Sequence, residues 1–118
     1  MDQKSLVTKI VRGDEPVESL EQLGVTIRHK PPTIELTFPP GLPAVRVSLI
    51  DVARGLIQAC DQRTRLAEWS AVITTSDIIE IEGEGTPDWD LFVDALTYAS
   101  FGDPIPDWIL ERARVLAG

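Results

Sequence analysis

The sequence predicts an α+β domain: a small, mainly antiparallel sheet from the N-terminal third, packed against about four helices from the remainder. Three observations carry this. The stretch before Ser48 looks β-rich, with short segments of strand composition, several of them alternating apolar and polar residues, cut by Pro and Gly. Beyond Ser48 the apolar residues recur at spacings of three and four, the period of a helix with one buried face. Helix-start chemistry also recurs there, at Ser48, Thr86 and Pro106.

Taken in order, Leu6-Val7-Thr8-Lys9-Ile10-Val11 has strand composition, and Gly13-Asp14-Glu15-Pro16 supplies the turn that ends it. Val17 to Leu23 fits a short helix stopped by Gly24. Val25 to His29 alternates, and Pro31-Pro32 breaks it. Thr33 to Phe38 alternates again, with Ile34, Leu36 and Phe38 on one face, up to the break at Pro39-Pro40-Gly41-Leu42-Pro43.

Val45, Val47 and Leu49 alternate, while Ser48 and Asp51 form a Ser-x-x-Asp capping pattern. A strand running into a helix near Ser48 satisfies both. Leu49, Val52, Ala53, Leu56, Ile57 and Cys60 make the apolar stripe of that helix. A second helix over Leu66 to Ile73 turns Leu66, Trp69, Val72 and Ile73 inward. Ile78 to Glu82 reads as a short strand or extended segment, ended by Gly83-Glu84-Gly85. Thr86 as N-cap, Pro87 in the first position and Asp88 in the first turn open a third helix, with Trp89, Phe92, Val93, Leu96 and Ala99 inward. Gly102-Asp103-Pro104 ends it. Pro106-Asp107-Trp108 opens the last helix, with Ile109, Ala113 and Leu116 inward and Arg112 and Arg114 near its C-terminal end. Pro-Asp-Trp-x-Leu thus occurs at 87–91 and again at 106–110, which reads as shared start chemistry rather than a repeat architecture.

The chain has 118 residues, the size of one domain able to bury a core without metals or disulfides, and its single cysteine forms no internal disulfide. Its opening residues lack signal-peptide features, and no apolar run reaches the length of a membrane helix, so a cytoplasmic protein is expected. The absence of Asn and the excess of Arg over Lys fit a GC-rich bacterial source. A net charge of −8 argues against nucleic acid and against anionic membranes as partners. That charge is segregated: residues 1–59 carry seven basic and seven acidic side chains, and residues 60–118 carry four basic and twelve acidic ones.

Between Leu66 and Glu111 there are eleven acids and no Lys or Arg. Some of this is helix-start chemistry, since Asp88, Asp90 and Asp107 lie in first turns, where the helix dipole favours negative charge. Glu80 and Glu82 also suit the solvent face of a strand whose other face is Ile79 and Ile81. Dipoles do not account for the missing bases, because a soluble surface ordinarily mixes both signs. Asp77, Glu80, Glu82, Glu84, Asp88 and Asp90 are therefore the candidate contacts for a basic protein partner. The three tryptophans, Trp69, Trp89 and Trp108, all fall in this half. Packing between helices is their expected role, and one left exposed beside carboxylates would suit the same partner.

Other chemistries find less support. Glu80-x-Glu82-Gly83-Glu84 lacks the ordered ligand series of a calcium loop, and one His with one Cys makes no zinc set, so no metal or cofactor is expected. His29, between Arg28 and Lys30, reads as a solvated strand end, and Cys60 as an inert member of an apolar stripe. No nucleophile motif and no phosphate loop is present.

The run Leu49 through Cys60, then Glu68-Trp69, then Ile78-Ile79-Glu80-Ile81-Glu82 followed by two short helices, resembles small acidic bacterial immunity proteins, the inhibitors of secreted or contact-delivered toxins. The resemblance implies an inhibitor that covers a basic toxin surface without chemistry of its own. Two alternatives stand beside it. A small enzyme or enzyme subunit with a carboxylate-based site would need two carboxylates converging in a deep pocket. A structural or assembly component would need a large exposed apolar patch.

Overall fold

A helix opens the chain where composition suggests a strand. The computed structural model describes all residues except Met1, Pro32, Arg63, Thr64 and Glu84. Helix α1 spans Gln3–Val11, and the Asp2 carboxylate caps it by accepting the Ser5 N–H at 2.7 Å. Leu6, Val7, Ile10 and Val11 are all buried. A strand would put Leu6 and Val7 on opposite faces, whereas a helix puts all four on one. With a single core to face, burial overrides the β preference of the valines and isoleucine.

Val17–Leu23 forms a 3-10 helix that ends at Gly24, whose φ of 84° is the left-handed geometry glycine permits. Strands β1 (Thr26–Lys30) and β2 (Thr33–Thr37) follow as an antiparallel hairpin, with Lys30 paired to Thr33. Ile34 is buried and Leu36 and Phe38 are half-buried, so the expected inward face is the observed one.

Strand β3 (Val45–Ser48) runs directly into helix α2 (Leu49–Asp61). The junction is a full capping box: Ser48 Oγ accepts the Asp51 N–H at 3.1 Å, and the Asp51 carboxylate accepts the Ser48 N–H at 3.2 Å. Helix α3 (Leu66–Thr75) leads to strand β4 (Ile79–Glu82), which lies parallel to β3. The pair is thus joined by a two-helix crossover, the long connection parallel strands require. Helices α4 (Pro87–Ala99) and α5 (Asp107–Ala117) complete the chain.

The α+β class holds, and among the described residues four helices follow Ser48, as expected. The strands, however, form two separate two-stranded sheets, β1–β2 and β3–β4, the second parallel and drawing β4 from the acidic half. Between the sheets and helices lies one core, with Val47 from β3, Val52 and Leu56 from α2, Val72 from α3, Phe92 and Leu96 from α4, and Ile109 from α5. α2 packs mainly on α5, and α3 on α4 and β2. The radius of gyration is 13.1 Å, close to the ~13.5 Å of a single compact domain of this length. Among the described residues no helix is long and apolar enough to cross a membrane.

Candidate acidic interface

Strand β4 is the centre of the candidate surface. Ile78 and Ile81 are buried and Ile79 is half-buried, while Glu80 and Glu82 are exposed. The alternation of a strand puts the two carboxylates on the same side, ~7 Å apart along the chain. On that side the neighbouring strand offers Arg46 opposite Glu80 and Ser48 opposite Glu82. A polar hollow of about 250 Å³ opens between Arg46, Glu80, Ile81 and Gly83.

The strand is tied to the next helix by one hydroxyl. Thr86 Oγ1 donates to the Gly83 carbonyl at 2.6 Å and accepts the Trp89 N–H at 3.4 Å, capping α4 as its sequence predicts. Gly83 turns the chain with a φ of 95°. Asp77, Glu80 and Glu82 precede this turn, and Asp88 and Asp90 follow it in the first turn of α4. Glu84, the remaining candidate, lies outside the described residues.

Asp88 differs from its neighbours. Arg112 of α5 donates to it twice, from Nε and from an Nη, each at 2.9 Å. That hydrogen-bonded pair holds the Asp88 carboxyl below the ordinary carboxylate range and pushes Arg112 up. His29 Nδ1 lies 3.5 Å from a Glu68 oxygen. The fold thus brings partners to two acids that linear sequence left uncompensated. Asp77, Glu80, Glu82, Asp90, Asp94, Asp103, Asp107 and Glu111 have no cation within 4.0 Å among the described residues.

Trp69 and Trp89 are buried, but Trp108 is 57% exposed, between Asp107 and Glu111. Leu91, Tyr98, Phe101 and Val115 are exposed as well. Leu91 lies one turn beyond Asp88 on α4, and Trp108 one turn before Arg112 on α5. The Asp88–Arg112 pair links the two helices that carry these apolar side chains. The sequence reading assigned no role to Leu91, Tyr98 or Phe101. The available signal was the seven-residue spacing of Leu91 and Tyr98, which sets them apart from the inward Trp89–Phe92–Leu96 stripe.

The residues considered for catalysis lie apart. His29 is exposed near the end of β1. Cys60 is half-buried, and burial pushes its thiol up, away from the nucleophilic thiolate. Cys60 lines a hollow of about 440 Å³ with Leu66, Asp103, Ile105 and Leu110, in which Asp103 is the one carboxylate among the described residues. The acidity of Asp2, Glu35 and Asp88 is displaced downward, in each case led by a hydrogen bond from a nearby residue. Among the described residues no three His, Cys, Asp or Glu side chains cluster as metal ligands would.

No protein-family model, no curated protein and no solved structure matches the chain.

Proposed function

We propose that this chain is a non-catalytic binding or inhibitory protein of the cytoplasm, and that it takes a basic protein partner on the strip from Asp77 to Asp90. The observation that carries the reading is the set of carboxylates that, among the described residues, have no cation beside them on the surface of β4 and the helices after it. Carboxylates held on regular elements present a fixed negative field, which speeds the approach of a basic surface and orients it. Exposed Leu91, on α4 with Asp88 and Asp90, and exposed Trp108, flanked by Asp107 and Glu111 on α5, would supply apolar contact area, which charge alone does not. The resemblance to bacterial immunity proteins gives the reading its specific form, an inhibitor covering a basic toxin surface.

The test reverses Glu80, Glu82 and Glu84 to Lys and compares wild type and variant as bait in the source organism's lysate, with circular dichroism as the folding control. A basic protein retained by wild type at low salt and lost by the variant supports the reading. Equal retention by both overturns it. A second reading, an assembly component, is favoured by exposed Tyr98, Phe101 and Val115. Sedimentation separates the two: a Tyr98→Ser/Phe101→Ser variant that changes the oligomeric state supports assembly.

A further inference from the structure

The β3–β4 sheet has two strands, so each has an edge that does not face the other. The hydrogen-bond register says which groups lie on the outer edge of β4. Val45 pairs with Ile79 and Val47 with Ile81, and the Val45 N–H donates to the Ile78 carbonyl at 2.7 Å. In a parallel ladder each residue of one strand bonds the residues before and after its register partner. Val45 and Val47 therefore use the backbone groups of Ile78, Glu80 and Glu82. The N–H and C=O groups of Ile79 and Ile81 turn away from β3, and among the described residues no hydrogen-bond partner faces them. β3 is the element β4 packs against most closely.

We infer that this edge of β4 accepts an extended segment of the partner as an added strand, with basic residues at alternate positions. The inference rests on the reading of the acidic strip as a partner surface and specifies how it is used. Strand addition supplies main-chain hydrogen bonds, and alternate side chains supply selectivity. Glu80 and Glu82 would meet residues i and i+2 of the incoming strand, so Lys or Arg belongs at both. The intervening residue falls on the side of Ile79 and Ile81 and would be apolar. A second copy of this chain fits poorly, because pairing β4 with β4 sets glutamates against glutamates between molecules of net charge −8. The same carboxylates that repel a copy favour a basic strand.

The experiment uses the full chain and a terminally blocked Lys-Val-Lys-Val-Lys-Val peptide. Its control is the same peptide N-methylated at the residues whose N–H groups would face β4. Amide exchange is followed by NMR. Peptide binding should slow exchange at Ile79 and Ile81 by about tenfold or more, with little change at Glu80 and Glu82, whose amides already serve the ladder. The N-methylated peptide should bind about tenfold more weakly or worse. Absence of binding at low salt overturns the inference. So does binding with unchanged exchange at Ile79 and Ile81, or equal affinity for both peptides. Where exchange at Ile79 and Ile81 is unchanged by the peptide, loss of binding in a Glu80→Lys/Glu82→Lys variant would leave the acidic-surface reading standing while strand addition fails. Binding indifferent to charge reversal would count against that reading itself. Concentration-dependent protection of Ile79 and Ile81 without peptide would identify a second copy as the occupant and overturn the inference.

Discussion

The indole N–H of Trp69 donates a buried 3.0 Å hydrogen bond to the carbonyl oxygen of Val11. That carbonyl belongs to the last turn of α1, where no further helical N–H reaches it. Gly55 of α2 lies against both partners. A Cβ placed there would sit 1.8 Å from the Val11 oxygen and 2.6 Å from Cζ2 of the Trp69 ring. Three helices thus meet at one point, which a hydrogen bond closes and a missing side chain makes room for.

The first prediction concerns that point. Gly55→Ala gains about 1 kcal/mol of helix propensity. It also drives a methyl group into backbone and a rigid ring, where overpacking costs about 1–3 kcal/mol or more. The backbone contact at 1.8 Å puts the cost at the upper end, and urea unfolding should show a net loss approaching about 2 kcal/mol. Trp69→Phe leaves the Val11 carbonyl buried and unpaired and should lose about 1–3 kcal/mol. A Gly55→Ala protein as stable as wild type would refute the close approach.

The second prediction is a pH dependence at Asp88 and Arg112. The folded carboxyl of Asp88 is depressed below its unfolded value by the Arg112 hydrogen bonds. Such a group contributes stability above its unfolded pKa and loses it as pH falls through the folded one. Wild type should therefore lose stability on acidification from the ordinary carboxylate range downward. Arg112→Ala should weaken that component and flatten the profile in the same window. Urea midpoints measured across acid pH for both proteins check this, and parallel profiles would contradict it. Because the pair is exposed to solvent, the effect should also shrink with added salt.

The third prediction separates the tryptophans. Trp89 is buried, and Trp89→Ala should cost about 3–5 kcal/mol. Trp108 is 57% exposed, and Trp108→Ala should change stability by no more than about 0.5 kcal/mol. A charged collisional quencher should reach one population of tryptophan emission in wild type and none in Trp108→Phe. If quenching persists in that variant, the placement of Trp108 is wrong.

Much of the architecture was legible in sequence because its signals are local. The Ser48–Asp51 box and the Thr86 cap need only neighbouring atoms, and both form as read. Helical stripes in α2, α3 and α4 were visible because a single buried face imposes a fixed spacing. The first element was misread because Val and Ile favour strands locally, while Leu6, Val7, Ile10 and Val11 together fit one helical face. The candidate strip was legible as acids without bases. Its neutralised member was not, because Arg112 lies twenty-four residues from Asp88.

By itself, the sequence determined the α+β class, the start of each helix after β3, the alternation that exposes Glu80 and Glu82, and a charge balance carried by one half of the chain. Each depends on spacing or composition, which survives without knowledge of contacts. Tertiary structure alone decided the parallel pairing of β3 with β4, the role of Gly55 under Val11 and Trp69, the exposure of Trp108, and which carboxylates keep a cation. Those outcomes depend on which surfaces meet across long separations in the chain. Packing one core selects among such meetings, and no local pattern encodes the choice.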